Sequence, residues 1–265
     1  MDLKGKVAIV TGSGGEGSGR AHALRLAREG CRVVVADISE SGGQETVRIV
    51  AAAGGAAAFW RCDVGVAAEV AAMVDFAQER FGGLDVLINN ASAPYRPRPP
   101  IEEWFETLQV DLLGAIYGLQ HAGAAMARGG GGVIVNVGST SALGHGPGHA
   151  NAPAYDVAKI GVVRLTTTAA DLYAGAGIRI NCLVPAWVAT PEVKAYWDGL
   201  TPQERRERGA PDTLLSLDEV AAAALALIAD DSLTGRILVC WNGRPPALIP
   251  LGDPGYAALD TLSLP

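Results

Sequence analysis

The stretch Val7-Ala-Ile-Val-Thr-Gly-Ser-Gly-Gly-Glu-Gly-Ser-Gly19 joins an apolar run to a turn that contains five glycines. A short apolar run bounded by a turn predicts a strand that is buried on both faces of a parallel sheet. Because glycine has no side chain, such a turn lets backbone N–H groups approach a phosphate, and the start of the following helix favours an anion. A tight turn without a ligand explains the glycines equally well. Other residues of the chain are therefore needed to choose between a phosphate site and a simple turn.

Short β-branched runs alternate with longer alanine- and leucine-rich stretches along the chain. This alternation predicts parallel strands joined by crossover helices. The predicted strands are residues 7–11, 32–37, 56–61, 86–88, 133–137, 179–183 and 237–240. The predicted helices are residues 19–29, 40–53, 67–81, 102–127, 154–174 and 217–229. We therefore expect a single α/β domain over residues 1–265, with a doubly wound, seven-stranded parallel sheet flanked by helices.

Composition and charge narrow the class of protein. A chain of 265 residues with 49% hydrophobic and 18% charged residues can bury the core of one large domain. The net charge of −7 argues against a nucleic-acid surface, which needs clustered lysine and arginine. No long apolar run follows the N-terminus, so we expect neither export nor a membrane span. The four cysteines lack C-x-x-C spacing, which predicts reduced, mostly core-packed thiols in a cytoplasmic protein: Cys31, Cys62, Cys182 and Cys240.

An acidic residue at the end of the second predicted strand supports a dinucleotide site. Asp37 lies about 20 residues beyond the glycine turn, where a carboxylate can accept both hydrogen bonds of an adenosine ribose diol. The same carboxylate would repel a 2′-phosphate, and no arginine immediately follows it. The sequence therefore favours NAD(H) over NADP(H) as the cofactor.

Polar residues also follow the third and fourth predicted strands. Asp63 and Val64 are placed to hydrogen-bond adenine through side chain and backbone. Asn89, Asn90 and Ala91 put two amides at the next strand end. Turn formation alone explains the paired asparagines, but the dinucleotide context favours a cofactor contact.

The candidate chemistry lies further along the chain. Tyr155 and Lys159 are four residues apart on a predicted helix and therefore share one face. Tyrosine ordinarily has a pKa of about 10, so it acts as a base near neutrality only when a cation stabilises its phenolate, and we expect Lys159 to do so. Ser139 follows a predicted strand and can hydrogen-bond a substrate oxygen, with Thr140 and Ser141 as neighbouring rivals.

These motifs together resemble the short-chain dehydrogenase/reductase family over residues 4–243. The elements that occur in the family's order are the glycine turn, Asp37, Asp63-Val64, Asn89-Asn90-Ala91, Ser139, Tyr155-x-x-x-Lys159 and Pro185…Thr190. The resemblance implies a Rossmann-like sheet, Tyr155 as general acid/base, Lys159 on the nicotinamide ribose and Ser139 orienting the substrate. It also implies a homo-oligomer, commonly a tetramer with a dimer as the alternative, in which the helices at residues 102–127 and 154–174 form the interfaces.

The resemblance extends to the cofactor contacts, with two departures in the glycine turn. Four residues separate Gly12 from Gly17, one more than the family usually has, so we expect the loop to bulge around Glu16. Ser18 stands where the family usually has isoleucine and could direct a hydroxyl toward phosphate. The implied contacts from the turn and from the segment after residue 184 are Gly12, Gly17, Ser18, Gly19, Pro185, Val188 and Thr190.

Two further departures concern the chemistry. Asp111 falls where the family usually has the asparagine that anchors a proton-relay water. An aspartate keeps the oxygen acceptors and loses the amide donors, so we expect a catalytic relay with altered pH dependence. Ala186 follows Pro185 in place of the family's glycine, which predicts that this position does not need a positive φ.

The predicted substrate contacts come from loops after strand ends. Residues 92–100 and 187–215 are expected to border the substrate, the second as a helical lid. The candidate contacts, which could equally be packing anchors, are Tyr95, Ser141, Leu143, Trp187, Tyr196 and Trp197. They favour a hydrophobic cyclic or aryl-substituted alcohol, with an acidic substrate clamped by Arg96 and Arg98 as the second choice.

Two segments extend beyond the family pattern. The step from Ser139 to Tyr155 is about three residues longer than usual and enlarges a substrate-facing loop that contains His145, Gly146, Pro147 and His149. The proline-rich tail, residues 244–265, is expected either to cross a subunit interface or to cover its own sheet edge.

The predicted function is the NAD(H)-dependent interconversion of a secondary alcohol and a ketone. One alternative is an epimerase or dehydratase of the same fold that retains its NAD. A second alternative is a dinucleotide sensor without turnover.

Overall fold

The sheet of this protein has eight strands, of which the first seven are parallel. The computed structural model describes residues 1–144 and 152–252. The strands are β1 (Val7–Thr11), β2 (Arg32–Asp37), β3 (Ala56–Arg61), β4 (Val86–Asn89), β5 (Gly132–Val137), β6 (Ile178–Pro185), β7 (Ile237–Cys240) and β8 (Ala247–Leu248). Their order in the sheet is β3-β2-β1-β4-β5-β6-β7-β8, with β8 antiparallel to β7. This confirms the doubly wound parallel arrangement.

Helices cover both faces of the sheet. They are α1 (Ser18–Arg28), α2 (Glu40–Ala52), α3 (Ala67–Phe81), α4 (Trp104–Leu108), α5 (Gly114–Gly129), α6 (Pro153–Tyr173), α7 (Pro191–Asp198), α8 (Pro202–Glu207) and α9 (Leu217–Ala229). Because side chains alternate along a strand, Val10 packs toward Leu26 of α1 and Leu227 of α9 in one apolar cluster. Its neighbour Ile9 packs on the other side with Met73 of α3 in a second cluster.

The strand register brings the functional loops to one edge. Val10 of β1 lies opposite Ile88 of β4, and Asn89 of β4 lies opposite Asn136 of β5. The carboxyl ends of β1, β2, β4, β5 and β6 therefore open on the same side of the sheet, where open α/β sheets bind their ligands.

All seven predicted strands are present, and the prediction missed one short antiparallel strand, β8. Ala247 and Leu248 form this strand, which lies between Pro246 and Pro250 and pairs with Val239 and Leu238 of β7. Two residues of the predicted tail therefore cover the edge of their own sheet. Two residues are too few for a strand pattern to show in the sequence. Residues 253–265 of the tail lie outside the described residues.

The prediction of one helix over residues 102–127 was also wrong in detail. The segment consists of a 3₁₀ turn (Ile101–Glu103), α4, a π-helical turn (Gln109–Leu113) and α5. A π turn contains one residue more than an α-helical turn. The apolar pattern continues through it, so the sequence does not reveal this extra residue. Asp111 lies in this π turn, and such turns are frequent at functional sites.

All four cysteines are free and buried, as the sequence predicted. Burial raises the pKa of the thiols of Cys31, Cys62 and Cys182 to about 12, and that of Cys240 to about 11. These side chains therefore act as small apolar packing groups. Within residues 1–144 and 152–252, none of the helices is both long and apolar enough to cross a bilayer.

Candidate active site

The glycine turn is clamped to the end of β4. Asn90 Nδ2 donates to the carbonyl oxygens of Thr11 (3.0 Å) and Gly12 (3.3 Å). The backbone N–H groups of Asn90 and Ala91 donate to Thr11 Oγ1. Gly12 has φ +64°, and a Cβ on Gly19 would lie 2.0 Å from the carbonyl oxygen of Gly12. The amide of Asn90, predicted as a cofactor contact, thus shapes the turn from behind.

A second brace of the turn was missed in the sequence. Arg20 Nη2 donates to the carbonyl oxygen of Gly14 (2.7 Å), and Arg20 Nε donates to Thr46 Oγ1 (2.9 Å). Thr46 Oγ1 in turn donates to the carbonyl oxygen of Ser13 (2.8 Å). Glu16, around which the bulge was expected, is 74% exposed, and its carboxylate lies 3.8 Å from Arg20 Nη1.

Asp37 is held from two sides with room for a ligand. Its Oδ2 accepts the N–H of Gly14 at 2.7 Å, and its Oδ1 accepts the N–H of Ser39 at 2.9 Å. Each carboxylate oxygen has two acceptor positions, so one position on each oxygen is left by these backbone bonds. The pair of remaining positions matches the two hydroxyls of a ribose diol.

The predicted adenine contacts lie at the end of β3. Asp63 Oδ1 accepts the N–H of Gly65 at 2.9 Å, while the N–H of Asp63 donates to Glu69 Oε2 at 2.8 Å. Val64 is buried and touches the backbone of α5, where a Cβ on Gly114 would lie 2.8 Å from Val64 Cγ2. Asp63 therefore has one carboxylate oxygen committed to its own loop.

The segment after β6 faces the glycine turn. Pro185 lies opposite Cys240 of β7, and the buried Val188 forms a parallel bridge with Leu215. The methyl group of Thr190 would lie 3.6 Å from a Cβ on Gly17, so the two predicted cofactor contacts border one space.

Two positions that depart from the family pattern, Ala186 after β6 and Ser18 at the start of α1, lie among the described residues. Arg98, at φ +47°, is the only non-glycine residue of the described chain with a positive φ. The prediction that Ala186 needs no positive φ is therefore confirmed. Ser18 is the first residue of α1, whose start has no side-chain cap, so its hydroxyl stays a predicted phosphate contact.

Tyr155 and Lys159 lie together on α6, as their spacing predicted. Lys159 Nζ is 5.3 Å from the centroid of the Tyr155 ring. It donates to the carbonyl oxygen of Val137 (3.1 Å) and pairs with Asp111 Oδ1 (3.0 Å). Burial pulls the pKa of Lys159 down, but the Asp111 carboxylate and Tyr155 outweigh it, so the pKa is raised. Lys159 is therefore a cation beside the phenol in the resting site.

Ser139 is oriented by its neighbour. Its Oγ accepts hydrogen bonds from the N–H (3.2 Å) and the Oγ (3.1 Å) of Ser141. This arrangement leaves the proton of Ser139 for another acceptor. Ser141, one of the predicted rivals, thus serves as the donor that sets the direction of Ser139.

Asp111 is buried at the centre of a polar cluster. Its side chain has no exposed surface. Oδ1 accepts the hydroxyl of Ser92 at 2.5 Å, and Oδ2 accepts the N–H of Ala93 at 2.8 Å. The carboxylate therefore contacts the Lys159 ammonium directly.

A buried ladder beneath the site was also missed. Asn89 Nδ2 donates to Asn136 Oδ1 (2.9 Å), and Asn136 Nδ2 donates to Thr166 Oγ1 (3.0 Å). Asn136 and Thr166 have no exposed surface. The ladder ties β4 to β5 and β5 to α6, which carries Tyr155. An asparagine in the middle of the apolar run 133–137 was the visible hint.

Three of the predicted substrate contacts are aromatic side chains of the loops. The rings of Trp187 and Tyr196 lie 6.1 Å apart between centroids. Tyr95 is 63% exposed, and partial burial, then Asp156, Tyr196 and Tyr155, raise its pKa. Burial also raises the pKa of Asp156.

Other candidates serve the packing of the loops. Trp197 Nε1 donates to the carbonyl oxygen of Pro211 (2.8 Å), and the guanidinium of Arg205 lies 3.3 Å from the centroid of the Trp197 ring. Leu143 packs against the apolar cluster that contains Val162. The predicted lid, residues 187–215, is helical in α7 and α8, and Trp197 is an anchor within it.

The remaining predictions for the mouth of the site have mixed outcomes. Arg96 pairs with Glu106 at 2.9 Å on the surface, so it is engaged as a solvated ion pair. The predicted loop residues His145, Gly146, Pro147 and His149 lie outside the described residues.

The comparisons with known proteins agree with this geometry. A family model described as enoyl-(acyl carrier protein) reductase matches residues 14–243. The chain belongs to the short-chain dehydrogenase/reductase family. It is 38% identical to cis-4-hydroxycyclohexanecarboxylate dehydrogenase of Sinomonas cyclohexanicum, over 90% of this chain and 96% of that one. It is also 38% identical to 3β-hydroxysteroid dehydrogenase 1 of Eggerthella lenta, over 91% and 94% of the two chains.

A solved structure is similar over nearly the same length. It is a 7α-hydroxysteroid dehydrogenase in complex with NADH and 7-oxo glycochenodeoxycholic acid. The TM-score is 0.82 at 29% sequence identity, and the match covers 91% of this chain and 94% of that one.

Proposed function

We propose that this protein is an NAD(H)-dependent oxidoreductase that interconverts a secondary alcohol and a ketone. The observation that carries the proposal is the placement of Tyr155 beside the buried cation of Lys159, at the strand edge that also holds Ser139 and the glycine turn. This set supplies a proton carrier, a charge to stabilise its phenolate and a donor for the substrate oxygen.

The residues at the strand edge fit a bound dinucleotide. The backbone at Gly19 is too close to Gly12 for a Cβ, whereas a Cβ on Gly15 would meet nothing within 4 Å. The turn is thus tightly packed where Gly19 meets Gly12 and open at Gly15, so a pyrophosphate can approach its backbone N–H groups. The proposed contacts are Gly12, Gly17, Ser18 and Gly19 for the pyrophosphate, Asp37 for the adenosine ribose, Asp63 and Val64 for adenine, Asn89, Asn90, Ala91, Tyr155 and Lys159 for the nicotinamide ribose side, and Pro185, Val188 and Thr190 for the carboxamide.

The residues of this chain divide the proton chemistry among them. NAD, when bound, accepts a hydride from the carbinol carbon or returns one to the carbonyl carbon. Tyr155 Oη takes the hydroxyl proton in oxidation and gives it back in reduction. Ser139 Oγ donates to the substrate oxygen, because Ser141 already supplies the two hydrogen bonds that Ser139 accepts. Lys159 stabilises the phenolate as a buried cation.

Asp37 supports NAD(H) as the cofactor. Its two free acceptor positions suit a ribose diol, and its charge opposes a 2′-phosphate. The next residue, Ile38, has no positive charge to offset that repulsion. The NADH complex of the similar hydroxysteroid dehydrogenase supports the same choice.

The substrate proposal is a cyclic secondary alcohol. Both relatives named above carry the names of dehydrogenases of ring-bearing hydroxy compounds. Trp187 and Tyr196, whose ring centroids lie 6.1 Å apart, supply flat apolar surface for such a substrate, and Tyr95 is the third aromatic side chain proposed for it. This supports the hydrophobic alternative over a carboxylate clamped by Arg96, since that arginine is already paired with Glu106.

The test removes one oxygen atom from the site. Tyr155→Phe should lower kcat by roughly 10²–10⁴-fold on a panel of cyclic alcohols and ketones, because a positioned acid/base contributes about that much, while NADH binding is kept. Tyr173→Phe is the matched control: this tyrosine lies at the far end of α6, and its hydroxyl contacts the carbonyl oxygen of Leu119 at 3.4 Å.

Each outcome has a defined meaning. Near-normal turnover in Tyr155→Phe would contradict the proposal. NAD that cannot be exchanged from the purified protein, with product formed but no NADH released, would favour the epimerase or dehydratase. NAD binding without turnover on any alcohol or ketone would favour the sensor.

We also propose that the protein is a homo-oligomer, with a tetramer favoured over a dimer. Several large apolar side chains of the 3₁₀ turn, α4, the π turn and α6 are exposed: Ile101, Phe105, Leu113, Val157 and Ile160. Light scattering should give a mass near four times that of the 27.2 kDa chain, and a monomer at micromolar concentration would contradict the proposal. The cytoplasmic location stays a prediction.

A further inference from the structure

We propose that Ser92 is the surface end of a proton path that leads out of the active site through Lys159 and Asp111. The inference rests on the proposed function, since a proton taken up by Tyr155 in alcohol oxidation has to reach the solvent. It assigns Ser92, which no motif of the sequence marks, a role as a relay residue for the reaction.

The distances define a continuous chain of hydrogen bonds. Lys159 Nζ lies 3.0 Å from Asp111 Oδ1, and the hydroxyl of Ser92 lies 2.5 Å from the same oxygen. An O–H···O⁻ distance of about 2.5–2.7 Å marks a strong, charge-assisted hydrogen bond. One carboxylate oxygen therefore joins the ammonium to the hydroxyl without an intervening atom.

Burial gives the path its direction. Lys159 and Asp111 are each 3% exposed, whereas Ser92 is exposed. Asp111 cannot swing outward by itself, because its other oxygen accepts the N–H of Ala93 at 2.8 Å. The π turn places the carboxylate at this point, and Ser92 is the member of the chain that meets water.

The proton movement balances without any other reactant. The Ser92 hydroxyl first turns its proton from Asp111 Oδ1 toward water. Lys159 Nζ then passes a proton to Asp111 Oδ1, which passes it to Ser92 Oγ as Ser92 releases its own proton to water. Lys159 is refilled from the side of Tyr155, so one proton leaves for each alcohol oxidised. In ketone reduction the same steps run in reverse.

Other groups next to the ammonium offer no comparable exit. The carbonyl oxygen of Val137 accepts from Lys159 but cannot carry a proton. Cys182 has no exposed surface and its thiol donates to the carbonyl oxygen of Leu183, so it offers no way to the solvent. A cavity of about 10 Å³, the size of one water, borders Asp111, Lys159, Asn89 and Thr11 and is the competing route.

The experiment follows the ammonium protons of Lys159 directly. Their exchange with water is measured by NMR on the full chain without cofactor, so the result does not depend on turnover. Ser92→Ala should slow this exchange by at least about tenfold, since a positioned proton carrier contributes roughly 10²–10⁴-fold to a transfer. Ser92→Thr, which keeps a hydroxyl, should restore it.

A matched control separates the path from a general surface effect. Ser232→Ala also removes an exposed hydroxyl that donates to a carboxylate, here Asp230 at 2.6 Å, and should leave the exchange unchanged. Stopped-flow measurement with a pH indicator should then show delayed proton release in Ser92→Ala, restored by millimolar imidazole, with hydride transfer followed at 340 nm.

The outcomes keep the two proposals apart. Exchange at the wild-type rate in Ser92→Ala would overturn the path and point to the cavity, whatever the enzyme's activity. Slowed exchange in a protein that shows no alcohol turnover would keep the path and refute the proposed function.

Discussion

The buried histidine of α1 makes the stability of this protein sensitive to mild acid. His22 is 1% exposed, and neither ring nitrogen has a hydrogen-bond partner within residues 1–144 and 152–252. Burial lowers the pKa of His22 from 6.5 to about 4. The folded state therefore binds this proton less readily than the unfolded chain does.

The sign and size of the effect follow from that difference. A lowered folded-state pKa means that the stabilisation is complete above pH 6.5 and is lost as the pH falls from 6.5 toward 4. One pKa unit corresponds to 1.36 kcal/mol, so the free energy of unfolding should fall by about 2.5 kcal/mol between pH 7.5 and 4.5 from His22 alone.

Two variants isolate this contribution. Urea unfolding at pH 7.5, 6.5, 5.5 and 4.5 should show a shallower loss of stability in His22→Leu than in the wild-type protein. His22→Gln keeps a polar side chain without a titrating group and should show the same shallower loss, even if it is less stable throughout. Parallel curves for the wild type and both variants would refute the reasoning.

Three further predictions concern the cofactor site and its support. Asp37→Ala should weaken NADH binding by at least roughly 100-fold in a fluorescence titration and reduce the preference over NADPH, because two charge-assisted hydrogen bonds of about 1.5–3 kcal/mol each are lost; unchanged preference would contradict the assignment. Gly19→Ala should abolish NADH binding because its Cβ overlaps a backbone oxygen at 2.0 Å, whereas Gly15→Ala should fold normally, and equal behaviour of the two would show that the backbone yields. Asn136→Ala should lower the free energy of unfolding by about 1–3 kcal/mol because it removes the two hydrogen bonds of the ladder, and an unchanged free energy of unfolding would contradict the ladder's role.

Much of the fold was predictable because its strands are local features. The limits of β1, β2, β3 and β7 agree with the prediction, since each is an apolar or β-branched run ended by a turn residue or a charge. The strand ends then meet at one edge of any doubly wound sheet. For the same reason Ser139, Tyr155 and Lys159 could be expected to lie together before their distances were known.

The missed features depend on contacts between distant parts of the chain. Arg20 contacts Thr46, and Ser92 contacts Asp111, which lies 19 residues further along the chain. No local sequence spacing predicts either contact. The π turn around Asp111 adds one residue to a helical turn without changing the apolar pattern. Strand β8 forms because β7 offers an open edge, a property of the finished sheet.

The measurement that tests the central claim most directly follows the hydride itself. NADH carrying deuterium at C4 of the nicotinamide is mixed with the protein and a cyclic ketone, and the product alcohol is analysed by mass spectrometry and NMR. The proposed function predicts one deuterium at the carbinol carbon of a single stereoisomer, and its loss in Tyr155→Phe. Alcohol without deuterium, or equal labelling in Tyr155→Phe, would contradict it.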